Sequence, residues 1–448
     1  MSYLKEVIAD VLENYPNKID RLVFVTTGKR PALFLKKYFA EQIKHATIAP
    51  EFIGIADLFT RISGVQPIST LPLLFEFYDC YIKVHQEQHK DTPDTFEEFL
   101  SWGQTALKDF SEIDQYLVNP EKIFPYIHAL KEVEHWSGMD ERTEMQEKYL
   151  AFWRRLGDYY FALNKRLEEL GKGYGGYIAK KAVEKLPQYL QTHTDTIHIF
   201  VGFNALSEAE QKVIQSILID IGGEIYWDGD TYFLKNQTHE AGYFLRKYLK
   251  NWWYYNTLNH TPKFIGSHYE EEKEFQLTGV PKNVNQAHSV AALLKELPSA
   301  ELEKTALIIA DENLLIPMLQ SVQTGTAVNI TMGYPLQQTP LNDLFTTYFR
   351  LHLSKSFYYK DILNLLSQPF LHSLLSAEAV TAIATYIKEN NLTYLSREKL
   401  LENTPKDQQE ILNLLFPKGK DKAFITTLID NAIKLIYQLK STLDPENA

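Results

Sequence analysis

The sequence predicts an α/β chain built from two parallel-sheet units, each interrupted by a helical insertion. Three observations predict it. Short continuous apolar runs, such as Leu22-Val23-Phe24-Val25 and Ile197-His198-Ile199-Phe200-Val201, read as strands buried on both faces. Helical periodicity follows these runs, the alternation that produces parallel sheets. Between the two runs lie more than a hundred residues of unbroken helical pattern, far beyond the single helix of an ordinary crossover.

In chain order, residues 4–14 form a first helix and residues 22–25 the first strand. Pro31 then opens an amphipathic helix running to about Lys44. Residues 50–55 give a second short strand before a helix over 56–62. From Leu71 to about Tyr189 the pattern is helical. Phe96, Phe99, Leu100, Trp102, Leu107 and Phe110 recur near a 3.6-residue period, as do Phe152, Leu156, Tyr159, Tyr160, Leu163 and Leu167. Strands return at 197–201 and 223–227, separated by a helix from Ser207. After the acidic run 270–274, strands at 275–280, 305–310 and 328–332 alternate with helices at 285–297 and 312–322. From Leu341 onward the pattern is helical again. The divisions are a first sheet domain over residues 1–66 and 190–265, a helical insertion over 67–189, a partial second sheet domain over 266–340 and a second helical subdomain over 341–448.

With 448 residues, 45% of them hydrophobic and 13% aromatic, the chain is globular and too long for one core. Its formal charge of −11 argues against a uniformly basic nucleic-acid binder, so any DNA contact falls to local patches. Charge is segregated. Residues 20–50 set Arg21, Lys29, Arg30, Lys36, Lys37 and Lys44 against only Asp20 and Glu41, whereas residues 90–121 carry eight acids and two lysines. The single Cys80 excludes an intramolecular disulfide framework and a thiolate zinc cluster. Met1-Ser2-Tyr3-Leu4-Lys5-Glu6 is not an apolar signal segment, and no 18-residue apolar stretch occurs, so the expectation is a soluble, cytoplasmic protein without membrane contact.

The loop after the first strand, Thr26-Thr27-Gly28-Lys29-Arg30, sits where a phosphate-binding loop would. A working loop needs Gly five residues before the Gly-Lys pair and Ser or Thr after the Lys to hold Mg²⁺. Those positions are Val23 and Arg30. The scaffold is that of a nucleotide hydrolase with the hydrolytic parts replaced. Thr27, Gly28, Lys29 and Arg30 remain candidates for binding a phosphate at a helix N-terminus, or are solvent-facing turn residues.

Longer strings carry a family resemblance. Val328-Asn329-Ile330-Thr331-Met332-Gly333-Tyr334-Pro335-Leu336 with Thr339-Pro340, the strand–loop from Ile199 through Phe203-Asn204-Ala205-Leu206 to Ser207, and Trp102-Gly103 with Leu107-Lys108-Asp109-Phe110-Ser111-Glu112-Ile113-Asp114 together resemble the bacterial family related to AddB and RecB. That resemblance implies two RecA-like, P-loop NTPase-type domains of superfamily 1 helicase layout. It also implies a PD-(D/E)XK nuclease domain, which is either appended after Ala448, carried on a separate chain or lost in a shortened homologue, and a role in double-strand break repair with DNA and a nuclease or helicase subunit as partners. The expected function is a catalytically degenerate scaffold guiding single strands or duplex ends; the alternative is a protein-interaction module of a repair complex that never touches DNA.

The departures from the family pattern concern ATP. Where an active helicase ends its second core strand with Asp-Glu, this chain has Val201-Gly202-Phe203. Gly229-Asp230-Thr231-Tyr232-Phe233 lacks the Gln of the Gly-Asp-x-x-Gln signature, and Ala310-Asp311-Glu312 stands where an arginine would face the γ-phosphate. Glu271-Glu272-Lys273 has Glu-x-Lys spacing but falls in a charge run that reads as a solvated linker, and no Asp…Glu-x-Lys arrangement lies on a strand-turn-strand, so neither ATPase nor nuclease activity is expected of these residues. Arg246-Lys247-Tyr248-Leu249-Lys250-Asn251-Trp252-Trp253-Tyr254-Tyr255 interleaves cations and rings without an acid. Arg246, Lys247, Lys250 and Trp252 there either contact DNA, or the helix buries Leu245, Leu249, Trp252 and Trp253 and turns its lysines to water. His239-Glu240 lacks a second His, and His193 and His198 straddle a loop–strand junction, so no metal site and no cofactor is expected. There is no Gly-x-Ser-x-Gly elbow, and Cys80 lacks a nucleophile's setting.

Overall fold

A computed structural model describes residues 2–44, 46–89, 92–134, 143–258, 260–263, 267–322, 327–354, 356–419 and 422–443. The chain forms two compact units, Met1–Phe275 and Gln276–Ala448.

The first unit opens with α1 (Tyr3–Asn14), β1 (Leu22–Thr26), α2 (Lys29–Gln42), β2 (Glu51–Gly54) and α3 (Ile55–Ser63). β3 (Gln66–Pro67) pairs in parallel with β4 (Lys172–Gly173), a two-residue ladder that closes the base of the insertion. Between them run α4 (Thr70–Val84), α5 (Phe96–Gln115), α6 (Pro120–Glu134) and α7 (Glu144–Leu170). After β4 come α8 (Gly175–Thr192), β5 (Ile197–Phe203), α9 (Glu208–Asp220) and β6 (Gly223–Trp227). Three short helices follow: α10 (Thr231–Lys235), α11 (Tyr243–Asn251) and α12 (Trp253–Asn256).

The main sheet is parallel, with strand order β2-β1-β5-β6. Residues 22–26 therefore lie beside residues 197–201, and among the described residues no strand from 71–189 enters this sheet. Side chains alternate between its faces. Phe24, Ile199, Val201 and Tyr226 join Val7, Val11, Leu35 and Phe39 from α1 and α2. Val23, Val25, Phe200, Ile225 and Trp227 face Leu58, Ala182 and Val213 from α3, α8 and α9. Burial on both faces explains why these strands read as unbroken apolar runs.

One boundary differs from the sequence reading. The block over 67–189 does not stand wholly outside the sheet layer, because α8 packs between α3 and α9 through Ala179, Ala182 and Leu186. It also reaches α5 closely: a Cβ at Gly176 would fall 2.0 Å from the Ser111 carbonyl oxygen. Only α4–α7 form the separate layer, where Phe77 makes edge-to-face contact with Phe99, Trp102 and Phe110, and Phe99 does so with Trp102.

The second unit contains α13 (Asn283–Glu296), α14 (Ser299–Leu302), α15 (Leu315–Ser321), α16 (Pro340–Leu351), β7 (Phe357–Tyr358), α17 (Tyr359–Leu366), α18 (Ala377–Glu389), β8 (Tyr394–Leu395), α19 (Arg397–Glu402), α20 (Gln409–Leu415) and α21 (Lys422–Leu443). β7 and β8 pair antiparallel, and Leu344, Tyr348, Ile362, Leu412 and Leu435 lead one helical core.

The second RecA-like sheet expected over 266–340 is not formed among the described residues. Residues 275–280, 305–310 and 328–332 are irregular, without ladder partners. Residues 305–309 and 327–332 line a groove of about 740 Å³ beside Leu294 of α13 and Leu315 and Met318 of α15. Leu277 is fully exposed and Ile308 is 89% exposed. Their β-branched and apolar composition favours strands, but a strand is a paired object, and composition does not supply the partner.

Candidate functional site

In a parallel sheet, ligands gather outside the carboxyl ends of the strands where successive connections leave in opposite directions. Here β1 connects through α2 to β2 on one side, and β5 connects through α9 to β6 on the other. α2 and α9 cover opposite faces. The switch point therefore lies between β1 and β5. The residues at its mouth are Thr27 and Gly28 after β1, the first turn of α2, and Asn204 and Ala205 after β5, both exposed. Sequence reasoning reached Thr27, Gly28, Lys29 and Arg30; only the strand order identifies Asn204 and Ala205 opposite them.

Two glycines keep this mouth open. Gly202 takes φ +79° at a register shift between Val201 and Phe203, and neither it nor Gly28 would bring a Cβ within 4 Å of another group. Thr26, fully buried, fixes the turn by donating its hydroxyl to the Gly28 carbonyl at 2.8 Å and more weakly to that of Ile53 at 3.3 Å. Gly28 is the N-cap of α2, with no side-chain cap, and Lys29 and Arg30 are exposed. Neither cation has a hydrogen bond or ion pair among the described residues. Lys36 and Lys37 continue the exposed, cationic side of α2, with Lys37 4.0 Å from Glu41.

This turn departs from a nucleotide-hydrolysing loop in three ways. Val23, the position of the missing glycine, is in the ladder opposite Glu51 and His198, so its backbone belongs to the sheet. Only Thr27 and Gly28 separate strand from helix, too short a span to wrap a triphosphate. Pro31 removes one of the amide donors that a helix start otherwise presents. A single phosphate can still meet the amides of Lys29 and Arg30 and their side chains. Asp230, in the shadow of the Gly-Asp-x-x-Gln signature, accepts from the Tyr232 and Tyr269 amides at 2.8 and 2.9 Å and caps α10.

The candidate DNA residues on α11 are split. The Arg246 guanidinium donates to the Phe233, Asn236 and His239 carbonyls at 2.6, 2.9 and 2.7 Å, which ties α11 to the preceding turn. Trp252 is 2% exposed, with its indole N–H 3.1 Å from Gln211 Oε1, and has no face to offer a base. Lys247 and Lys250 point to solvent beside Tyr243, while the neighbouring Trp253 is 51% exposed. Of the four, Lys247 and Lys250 are placed for a phosphate.

Among the described residues, no three His, Cys, Asp or Glu side chains converge on a metal position. Burial pushes the Cys80 thiol up to about 11, the setting of an inert packing residue. His198 is fully buried on β5, with Nε2 2.9 Å from the Tyr189 hydroxyl and Nδ1 unpartnered among the described residues. Burial, with His193 and Arg61 adding to it, lowers its pKa to about 4. The unfolded chain protonates this side chain near 6.5, the native state only near 4, so its neutral form contributes full stability above 6.5 and loses it as pH falls between those values. Urea midpoints at pH 7 and pH 4 are expected to show His198→Leu escaping about 3 kcal/mol of the acid destabilisation suffered by the parent. Equal acid losses in both proteins would remove His198 as the cause.

Compared with known proteins, the chain matches no family model and no curated protein. Among the described residues no helix is long and apolar enough to cross a membrane.

Proposed function

We propose that this chain is a non-hydrolysing, helicase-like scaffold that holds the phosphate backbone of DNA at the β1/β5 switch point. It serves end processing in an AddB/RecB-type nuclease system. The observation that carries the reading is the charge at that mouth: Lys29 and Arg30 start α2 there, and the adjoining strand end, Val201-Gly202-Phe203, has no carboxylate to hold Mg²⁺. Such a mouth favours a bound anion and lacks the parts that would activate water. Lys36 and Lys37 extend the cationic track along α2, and Lys247 and Lys250 add a second short one. A few phosphate contacts give weak, salt-dependent binding, since each neutralised phosphate on a single strand contributes about −0.7 to the slope of log affinity against log salt.

A second reading, an interaction module that never meets DNA, is favoured by the exposed apolar residues of the second unit, Leu277 and Ile308 among them. One experiment separates the two. Anisotropy titrations of single-stranded and blunt-ended DNA across a salt series should show binding at low salt, and Lys29→Glu with Arg30→Glu should weaken it and flatten the slope. The same preparations should hydrolyse no ATP with or without DNA, and Arg30→Thr should not create turnover. Absence of DNA binding by the folded parent would favour the interaction module; DNA-dependent turnover abolished at Lys29 would overturn the non-hydrolysing assignment.

A further inference from the structure

The second unit holds a cleft of about 880 Å³ between the antiparallel β7/β8 ladder, the start of α19 and the loop 417–419. That size lies in the range of small-molecule sites, roughly 300–1,000 Å³. Among the described residues, Arg397, Lys399 and Lys418 line it against one carboxylate, Glu398, a local cationic surplus in a chain whose net charge is −11.

The charges have different tasks. Arg397 donates to the Phe416 carbonyl at 2.7 Å and to Asn413, which pins the far wall to α19. Glu398 turns back on its own helix start, where its backbone amide and then Ser396 hold its carboxyl below the usual range. Lys399 and Lys418 are exposed and have no ion pair within 4 Å among the described residues, although the Lys418 charge helps to lower the Glu398 carboxyl. Tyr394 presents a ring 60% exposed on the same cleft, and its base is held by the Tyr394–Tyr358 ladder pair. A pinned wall, two exposed ammonium groups, one of them within electrostatic reach of Glu398, and an open aromatic face match a phosphate carried next to a planar ring.

We infer that this cleft binds a nucleotide unit, with phosphate against Lys399 and Lys418 and base on the Tyr394 ring. The unit is either a free nucleotide or one residue of a single strand. This inference does not depend on the switch-point reading, because no residue is shared between the two sites.

The test uses the full chain and an oligothymidylate carrying 5-iodo-deoxyuridine, followed by anisotropy at low salt and by photocrosslinking. The crosslink is expected on the peptide that contains Tyr394. Tyr394→Ala should weaken binding about tenfold, Tyr394→Phe should retain it, and Lys399→Glu with Lys418→Glu should abolish the crosslink at unchanged melting temperature. Lys29→Glu with Arg30→Glu should leave the crosslink in place, which separates failure of this site from failure of the other. Displacement by deoxythymidine monophosphate would identify a free-nucleotide site, whereas crosslinking without displacement would identify a strand-binding site. A crosslink elsewhere, or Tyr394→Ala binding like the parent, would overturn the inference.

Discussion

Replacing Trp252 by Ala lowers the stability of the first unit by about 3–5 kcal/mol, the cost of emptying a large aromatic from a packed core. The ring lies against Trp227, Tyr248 and Tyr255 at centroid distances of 5.4, 5.1 and 6.0 Å. Its indole N–H satisfies Gln211 on α9, so truncation also leaves a polar partner behind. The cluster is itself cross-braced: the Trp227 indole donates to Tyr255 at 2.8 Å, and the Leu206 amide donates to the Tyr248 hydroxyl at 2.7 Å. Trp253→Ala, one residue along and half exposed, should change stability by less than about 1 kcal/mol. Chemical denaturation of both variants, with DNA affinity measured below their transitions, checks the pair. A Trp252→Ala protein as stable as its parent would mean that the ring is not in the core.

A second large loss is expected from Asp114→Ala. Asp114 is 1% exposed and accepts from the Tyr160 hydroxyl, from the Tyr174 hydroxyl at 2.6 Å and from Lys180 Nζ at 3.0 Å. Lys180 also donates to the Tyr160 hydroxyl at 2.8 Å. This one carboxylate ties α5, α7 and α8 together. Burial and then the bond to Asp114 hold the Tyr160 phenol far above its ordinary range, so it stays a neutral hydroxyl that donates to Asp114 and accepts from Lys180. Removing the acceptor leaves a partly buried cation and two hydroxyls uncompensated, which costs about 3–5 kcal/mol for a buried pair and less where water reaches Lys180. Asp114→Asn keeps an acceptor and should lose less. Equal, small losses in both variants would show that water replaces the carboxylate.

Much of the first unit was legible. Leu22-Val23-Phe24-Val25 had no polar side to place at a surface, so burial on both faces followed from composition. Ser207 with Glu210 is a capping box, and the structure starts α9 at Glu208, directly after Ser207. The segments 305–310 and 328–332 were misread because alternation measures a local preference and pairing is tertiary. The α11 run was half legible. Its lack of acids marked a cationic face, but a nine-residue helix followed by a break at Trp252 decides which of two adjacent tryptophans turns inward. Lys29 and Arg30 were visible as charges; the crevice they face depends on strand order, which no local window contains. Asp114 stood in one of the strings that carried the family resemblance, yet its partners are 46–66 residues away.

The placement of β1 beside β5 has a consequence for how the chain acquires its shape. The pairing closes a segment of about 170 residues. At about 5–20 residues per second of synthesis, β1 waits roughly 10–30 s for its neighbour to be made. Over that interval one edge of the β1–β2 pair is open to any extended chain nearby. Helices α4–α7, whose contacts are mostly among themselves and with α8, can compact first on local contacts, which form fastest. Once they have, the two ends of the insertion are brought together at the β3/β4 ladder, and the distance that β5 must search shrinks from that of a long coil to that of a short tether.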